Sequence, residues 1–440
     1  MAELRRRPYR ALRHRDFRLL GSATLISIVG TQMQNVGIDW HVYVLTRSPL
    51  ALGALGLVRV LPIVVFSLWG GVVADRHDRK RVQFLTQLFM AVVALLLGLA
   101  TWLGRDTLWL VYLLTALTAA ANAFDAPARQ ALVPRLVPAE DLPGALTINV
   151  TLFEIAMILG PSIAGILIGA SGGASAHSTR PLARIYFANA GSFLAVLIAL
   201  LLLRASGKPE AGAHGSESWR ASLRIGLKFL YSTRIILWTM GLDFFATLFS
   251  GAISLLPIVA DQILHVGAEG YGWLRAATGG GALLASIVTA VHPLPRKQGG
   301  LLLGSIAVYG AMTVVYGLSH SFLLTLLALA AGGAADLVST VIRATLRQVL
   351  TPDPLRGRIT AVNMIFFMGG PQLGEMEAGF VASQFSSATL GTMVAIASGG
   401  AATLLLVGLV LVFAPSVRRY TLSVGQAERQ PVPVSAGPPS

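Results

Sequence analysis

Five carboxylates stand inside long apolar stretches of this sequence, where a charge is costly. A charge near the centre of a bilayer costs at least about 2.5 kcal/mol, so such a group indicates an ion pair, a proton-binding site or a polar path. The chemistry open to these groups is reversible protonation, which could couple proton movement to another process. A structural ion pair is the alternative for each of them. The five proton-coupling candidates are Asp39, Glu154, Asp243, Glu375 and Glu377.

The first apolar stretch carries a polar stripe. Gln32, Asn35 and Asp39 recur at helical spacing and therefore share one face of a helix. Because a stripe of this kind facing lipid would be too costly, we expect it to face a central cavity. This expectation makes Asp39 the first candidate for proton coupling and Glu154 the second.

Two arginines, Arg59 and Arg275, also lie inside apolar stretches. If they face the cavity, they would suit an anionic compound, and with Gln32 and Asn35 they are the candidates for lining a substrate cavity. A scaffolding role is the alternative, because they recur at matching places in the two halves of the chain. We interpret Asp336 and Arg343 as local partners in a charge network near one end of their helix.

A dense charge cluster separates the second apolar stretch from the third. The segment "GGVVADRHDRKRV", residues 70–82, contains six charged side chains and a histidine in seven consecutive positions. Its carboxylates can accept charge-assisted hydrogen bonds from neighbouring basic side chains. The pattern predicts a latch at Asp75, and a basic loop that only orients the protein in a membrane is the alternative.

The composition is that of an integral membrane protein. Of 440 residues, 54% are hydrophobic and 12% are charged, against about 25% charged in a typical soluble domain. About twelve apolar runs are each long enough for the roughly 20 residues that a membrane-spanning helix needs. The fourth covers residues 107–127 and the tenth residues 321–344. The sequence therefore predicts an all-α integral membrane fold with twelve transmembrane helices.

Basic residues are concentrated at alternate loops, and loops rich in Lys and Arg stay in the cytoplasm. Both termini are accordingly predicted to be cytoplasmic, with a minor exception at Arg180 and Arg184. This topology accounts for the net charge of +14, so no nucleic-acid partner is expected. The chain has no cysteine, which excludes disulfides, thiol catalysis and thiolate metal sites.

The chain repeats itself at offsets of 210 to 218 residues. "RQALVP" returns as "RQVLTP", Gly160-Pro161 returns as Gly370-Pro371, and "GLVR" returns as "GWLR". One six-helix unit has been duplicated, which predicts two pseudo-symmetric bundles able to rock about a central site. We predict a cytoplasmic segment at 1–16, an N-terminal bundle at 17–204, a cytoplasmic linker at 205–233, a C-terminal bundle at 234–414 and a disordered cytoplasmic tail at 415–440.

The charge cluster resembles the signature of the major facilitator superfamily between helices two and three. The match runs through Gly71, Asp75, Arg76 and Arg79, with Asp78 where the signature usually has Gly. The resemblance implies a gate on the cytoplasmic side. In that gate Asp75 interacts with Arg79 and with a basic residue such as Arg129, and these contacts break when the bundles rock.

A second match is the segment "ILGPSIAG", which resembles the helix-five motif of the superfamily's proton antiporters through Gly160 and Pro161. The segments "FDAPARQALVPRLVP" and "TPDPLRGRITAVN" resemble the branch of enterobactin exporters and macrolide efflux proteins. The resemblance implies a secondary transporter in the inner membrane of a bacterium that exports a small amphipathic compound, such as a drug, macrolide or siderophore, in exchange for protons. A facilitator or importer of a polar nutrient, a lipid flippase and a non-transporting membrane sensor are the alternatives.

Enzyme motifs are missing from the sequence. It contains no phosphate-binding Gly-rich loop with Lys and Ser or Thr, no zincin histidine pair and no nucleophile elbow. The eight histidines show no metal-ligand spacing. We therefore expect no enzyme activity, cofactor or metal, and partners limited to a small-molecule substrate, protons and the lipid bilayer, with the protein acting as a monomer.

Overall fold

The computed structural model describes residues 8–170, 179–207, 228–292, 294–295, 297–352 and 355–421. The predicted terminal segments and the predicted linker lie partly or largely outside these residues. The side chain of Asp75 also lies outside the part that is described.

Twelve long helices make up most of the described chain, one for each predicted span. An apolar segment that crosses a bilayer core must satisfy its backbone hydrogen bonds within the protein, and an α-helix does so. By length and composition alone, ten of the twelve are long and apolar enough to cross a membrane. The other two, α1 and α11, are less apolar because each contains several polar residues. The helices are α1 (Arg15–Thr46), α2 (Pro49–Arg76), α3 (Arg79–Trp102), α4 (Leu108–Leu132), α5 (Leu142–Gly169), α6 (Arg180–Leu202), α7 (Arg234–Ser250), α8 (Gly267–Val291), α9 (Gln298–Leu318), α10 (Phe322–Leu350), α11 (Arg356–Ser383) and α12 (Ala388–Phe413).

Two helices are longer than the sequence predicts. Helix α4 continues through Pro127 to Leu132, and α10 continues to Leu350, six residues beyond its predicted end at 344. A proline inside a helix costs about 3 kcal/mol. Tertiary packing offsets this cost in α4, because Ala128 and Leu132 beyond the proline are fully buried.

Helix α7 ends irregularly. A 3₁₀ turn at Ala252–Leu255 and a π-helical turn at Val259–Ile263 continue the same span to residue 263. The change of direction follows a close approach to α11, because a Cβ atom at Gly251 would lie 3.1 Å from the carbonyl oxygen of Pro371. The π-helical turn brings Asp261 to the end of the bundle.

The helices form two six-helix bundles, α1–α6 and α7–α12, that meet along two seams. Helix α2 packs on α11 in one seam, and α5 packs on α8 in the other. The duplication pairs α2 with α8 and α5 with α11, so the two seams are equivalent by internal symmetry.

Glycines allow backbones to touch at both seams. A Cβ atom on Gly53 would lie 2.8 Å from the Cα atom of Gly379, and one on Gly165 would lie 2.7 Å from the Cα atom of Gly272. Real Cβ atoms essentially never approach other atoms so closely, so only glycine fits. Small residues at helix crossings are typical of membrane bundles, where close packing replaces the hydrophobic effect.

The apolar core differs between the two ends of the molecule. We call the end with the α1–α2 connection the far side and the end with both termini the termini side. On the far side, one cluster of buried residues runs through both bundles, from Tyr43 and Leu182 to Tyr271 and Ile396. On the termini side, each of the two larger clusters belongs to a single bundle. One lies around Phe17 in the first bundle, and the other lies in the second bundle. The bundles are therefore joined at the far side and separate toward the termini side.

Candidate functional site

A buried charge cluster occupies the α2–α11 seam. The Arg59 guanidinium lies 2.6 Å from Oδ1 of Asp39 on α1 and 3.5 Å from Oε2 of Glu375 on α11. All three side chains are largely buried, and Asp39 is 1% exposed. Breaking a buried pair by removing one partner costs several kcal/mol. One arginine thus holds two carboxylates, one from each bundle.

The predicted polar stripe is divided by the structure. Asp39 and Arg59 form an ion pair between adjacent helices and are buried in the seam. Because both side chains are largely buried, they line no open cavity in this conformation. Gln32 and Asn35 point elsewhere: the Gln32 amide contacts Sδ of Met157 on α5 at 2.7 Å, and the Asn35 amide donates to Gln32 at 3.2 Å. In this conformation Asp39 does not face an open cavity as expected, the pairing of Arg59 agrees with the scaffolding alternative, and the roles of both residues stay predictions.

A tyrosine from the second bundle reaches across the same cluster. The Tyr271 hydroxyl on α8 donates to Oδ2 of Asp39 at 3.2 Å. Its ring stacks on Trp40 with 5.6 Å between centroids. The carboxylate of Asp39 therefore receives one contact from its own bundle and one from the other.

Arg275 and Glu377 have no such partners. Arg275 on α8 is half-buried, and no acidic group lies within salt-bridge distance of it among the described residues. Tyr271, one helical turn before Arg275 on α8, contacts Asp39. Glu377 is also half-buried, and its Oε2 atom has no hydrogen-bond partner in the described part of the chain. Glu375 and Glu377 thus face different surroundings, as their spacing of two residues predicts.

A second contact between the bundles lies at the far end and was not anticipated from the sequence. Arg47 Nη1 lies 2.6 Å from Oδ2 of Asp261, which also accepts from the Tyr43 hydroxyl. Gln262 donates to that hydroxyl at 3.2 Å. The contacts need a left-handed residue at the end of α1, where Arg47 has φ 53°, and the π-helical turn at Asp261. Neither feature has a clear sequence signal.

A buried histidine, also missed at the sequence level, joins three parts of the first bundle. His41 Nε2 lies 2.7 Å from Oδ2 of Asp106 in the α3–α4 loop, and Nδ1 lies 2.9 Å from the Tyr186 hydroxyl. Thr179 also donates to Asp106. Burial raises the pKa of Asp106, but the hydrogen bonds from His41 and Thr179 outweigh it and hold that pKa below its usual 3.8. The cluster fixes the far end of α1 within its bundle.

The other predicted carboxylates lie toward the middle of the molecule. Asp243 on α7 forms a buried ion pair with Arg343 on α10 at 2.8 Å, which supports the structural alternative for this acid. Asp336, also near Arg343, is 45% exposed although it lies halfway along α10. Glu154 on α5 is half-buried, has no ion-pair partner among the described residues and interacts electrostatically with Asp336.

A groove of about 460 Å³ lies between α4 on one side and α1 and α5 on the other. All the residues that line it belong to the first bundle, and Phe17 and Arg129 place it on the termini side. Its walls are mostly apolar, and its volume is typical of sites for small molecules. Its polar groups include Arg129, Gln130, Thr24 and Asn149.

The residues of the predicted gate lie where α2, α3 and α4 meet on the termini side. Arg129 lies 3.9 Å from Asp125, a buried acid held by Thr86 and Gln87 at 2.9 and 3.0 Å. Its predicted contact with Asp75 lies outside the described side chains. Asp125 itself was not anticipated from the sequence.

The turn between α2 and α3 shows why Asp can replace the usual Gly of the signature. Asp78 has φ −61°, so no left-handed backbone is needed, and its side chain caps α3 by accepting from Lys80 N at 2.9 Å. Arg76 is exposed, and the Arg79 backbone N–H donates to Gly207 at 2.9 Å. A Cβ atom at Gly71 would meet no atom within 4 Å.

The Gly160-Pro161 pair packs α5 against α1. A Cβ atom at Gly160 would lie 3.0 Å from the carbonyl oxygen of Val29 and would collide with the side chain of Gln32. In the second repeat, a Cβ atom at Gly370 would lie 3.2 Å from the carbonyl oxygen of Phe244 on α7. The pair therefore serves close helix packing at equivalent places in both repeats.

Comparison with known proteins agrees with these observations. Residues 6–433 match the family described as transmembrane secretion effector. The chain is 27% identical to the enterobactin exporter EntS of Citrobacter koseri over 427 residues, which cover 97% of this chain and 96% of that protein. It is 26% identical to the enterobactin exporter EntS of Escherichia coli over 410 residues, covering 92% and 94%. These relatives are transporters and not enzymes.

Solved structures share the fold. A bacterial homolog of the human lysosomal transporter Spinster, in an inward-facing and unoccupied conformation, has a TM-score of 0.66 and 15% identity, covering 93% of this chain and 98% of that one. A bacterial homologue of the iron transporter ferroportin, in an inward-facing state, has a TM-score of 0.65 and 17% identity, covering 90% and 98%. The predicted fold of twelve membrane helices in two bundles is confirmed.

Proposed function

Because the chain belongs to the transmembrane secretion effector family of the major facilitator superfamily, we propose that this membrane transporter exports a small amphipathic compound by alternating access. The observation that carries the proposal is the divided core, which is continuous between the bundles on the far side and separate on the termini side. A central path open at one end and sealed at the other is one of the two states that such a cycle requires.

The termini side is the cytoplasmic side in this proposal. Lys and Arg near helix ends are retained in the cytoplasm, and Arg76, Arg79, Lys80 and Arg81 lie on this side. The conformation is then inward-facing, with the substrate entering from the cytoplasm. Export requires the far side to open next, which breaks the Arg59–Glu375 and Arg47–Asp261 contacts.

The substrate class follows from the groove beside α4. Its mostly apolar wall suits a hydrophobic body, and Arg129 and Asn149 can orient a polar or acidic group. The relatives named enterobactin exporters place a siderophore among the candidates. Drugs and macrolides of similar amphipathic character are the others, and we take the groove as their entry site.

Proton coupling is the second part of the proposal, and the geometry favours Glu154 over Asp39 in this state. Asp39 is paired and sealed, whereas Glu154 is half-buried and without an ion-pair partner in the described chain. A coupling carboxylate must reach the open path to exchange its proton. Glu154 meets this condition beside the exposed Asp336, while Asp39 meets it only after the far side opens.

Two experiments test the function. A bacterial strain with the gene deleted is compared with the complemented strain for secreted metabolites and for susceptibility to drugs, and we expect a compound that is retained only in the deletion strain. That compound is then offered to the purified protein in proteoliposomes with an imposed pH gradient. Absence of any compound that moves, or movement that ignores the gradient, would contradict export or coupling respectively.

The coupling residue is tested in the same vesicles by substrate-induced proton release. We expect Glu154→Gln to abolish proton release while substrate still binds, because Gln keeps the size and cannot titrate. Glu140→Gln, at an exposed position on the termini side, is the control. Parental release by Glu154→Gln together with loss in Asp39→Asn would return the coupling role to Asp39.

A further inference from the structure

We propose that Glu375 exchanges arginine partners during the transport cycle, binding Arg59 of the other bundle when the far side is closed and Arg275 of its own bundle when it opens. This inference rests on the proposed alternating access, since exchange requires the seam to separate. It assigns a role to Arg275, which has no ion pair among the described residues in the present state.

The closed state already shows unequal bonds around Arg59. Its contact with Asp39 is 2.6 Å long and stays within one bundle, because α1 and α2 belong together. Its contact with Glu375 is 3.5 Å long and crosses the seam. When the bundles part on the far side, the shorter contact moves as a unit and the longer one breaks.

Separation would leave Glu375 as an unpaired carboxylate among apolar helices. An unpaired buried charge is strongly destabilising, so opening would be opposed unless a new partner exists. Arg275 lies in the same bundle as Glu375 and pairs with no acid among the described residues. Tyr271, one helical turn before Arg275 on α8, reaches the charge cluster by its 3.2 Å hydrogen bond to Asp39. Arg275 therefore lies within one helical turn of a residue that already contacts the cluster.

The internal repeat explains why Arg275 is available. Arg275 is the equivalent of Arg59, offset by 216 residues, but the equivalent of Glu375 at the offset of 210 is Gly165. The equivalents of Asp39 at offsets of 210 to 218 fall in residues 249–257, which contain no acid. The cluster thus holds two acids and one arginine, and Arg275 supplies a second arginine one helical turn from Tyr271, which contacts the cluster. After exchange each bundle carries one neutral pair, Asp39 with Arg59 and Glu375 with Arg275.

The test measures opening of the far side directly. The chain lacks cysteine, so spin labels can be placed at Leu50→Cys on α2 and Leu390→Cys on α12, both exposed far-side positions. Double electron–electron resonance measures the distribution of distances between the two labels, in detergent and in liposomes. The share of long distances is the open fraction. Gly165→Val, which forces the other seam apart through its contact with Gly272, should raise that fraction and replaces no residue of the charge cluster.

In this background we expect Arg275→Met to lower the open fraction at least about tenfold, because Glu375 then has no partner in the open state. Adding Glu375→Gln should restore opening, because Gln needs no cation. Arg105→Met, at an exposed far-side loop position, should change nothing. In the otherwise unmodified chain, Arg275→Met should leave the melting temperature of the closed state unchanged.

Three results would overturn the exchange: an open fraction unaffected by Arg275→Met, a loss that Glu375→Gln does not restore, or a melting temperature lowered by Arg275→Met as far as by Arg59→Met, which would indicate an ordinary structural role. The distance measurement needs no substrate. A chain that shows the exchange and moves no compound would therefore contradict only the proposed function.

Discussion

The two seams between the bundles are related by duplication, but among the described residues a buried ion-pair cluster is found in the α2–α11 seam and not in the α5–α8 seam. Both bring glycines into backbone contact, at Gly53 and Gly379 in the α2–α11 seam and at Gly165 and Gly272 in the α5–α8 seam. The α2–α11 seam adds the cluster centred on Arg59. Glycine packing is therefore the inherited property, and the charges are the property that has diverged.

The difference shows how opening of a symmetric pair of bundles can be made sensitive to charge at one of its two seams. A seam held by backbone contact responds to shape alone, because dispersion contacts between helices do not depend on pH or on a charged ligand. A seam held by buried charges responds to any change in charge nearby, since an unpaired buried charge is so costly. The α2–α11 seam is thus the place where protonation or partner exchange can act on opening.

Replacing each of the two equivalent arginines should show the difference between the two seams most clearly. Arg59→Met leaves Asp39 and Glu375 without their cation, and we expect it to lower the free energy of unfolding by about 3–5 kcal/mol. Arg275→Met should lower it by less than about 1 kcal/mol, because no buried pair is broken. Thermal unfolding of the purified proteins in one detergent measures both, and equal losses would refute the asymmetry.

The α5–α8 seam should be more sensitive than the α2–α11 seam to the size of the side chains at its glycine contacts. Gly165→Val places branched carbon atoms against the backbone of α8 and should destabilise the closed far side by about 3 kcal/mol, at the upper end of overpacking costs. The readout is the spin-label distance across the far side. Gly191→Val is the matched control, because a Cβ atom there meets nothing within 4 Å. An unchanged distance distribution for Gly165→Val would remove glycine contact as the basis of this seam.

Support for the charged seam from within the first bundle can be tested at Asp106. Asp106→Asn weakens the hydrogen bond to His41, which fixes α1 two residues beyond Asp39, and we expect a loss of about 2 kcal/mol in unfolding free energy. Because the pKa of Asp106 is lowered in the folded protein, this stabilisation is present above its usual pKa of 3.8 and is lost as the pH falls below that value.

The pH dependence provides the check for that prediction. Unfolding of the parent and of Asp106→Asn is followed between pH 7 and pH 3, and the difference between them should shrink only at the acidic end. A difference that is constant over this range would mean that the carboxylate charge contributes nothing.

The smallest effect is expected at the rim of the far side. Arg47 and Asp261 are partly exposed, and exposed ion pairs contribute about 0–1 kcal/mol. Asp261→Asn should therefore change the melting temperature little and increase the open fraction slightly, by less than about fivefold. A loss as large as that of Arg59→Met would move the main closure from the buried cluster to this rim.

The positions of the helices could be predicted because membrane-length apolar runs leave few alternatives. The predicted starts of the fourth and tenth runs, at residues 107 and 321, each lie one residue before the start of α4 and of α10. The ends of α4 and α10 could not be predicted in the same way. Beyond the apolar run, these helices continue because residues such as Ala128 and Leu346 are buried by neighbouring helices, and that packing is not visible in a local pattern.

The candidate site was predictable in its residues and much less so in its contacts. Charges in apolar runs identified Asp39, Arg59 and Glu375, but their pairing depends on which helices form the seams. His41 and Asp106 are 65 residues apart, and a single histidine in an apolar run carries no signal of a partner. The role of Asp75 remains a prediction from the signature, to be tested by transport in Asp75→Asn.

The position of the glycine contacts along their helices determines how far the opposite helix ends move when the bundles rotate. From Gly165 to the start of α5 at Leu142 there are 23 residues, which span about 35 Å of helix. If the seam glycines act as the fulcrum, each 10° of rotation displaces the opposite end of the helix by about 6 Å, following from the same rise per residue. A small rearrangement at a buried cluster is thereby converted into an aperture wide enough for an organic molecule.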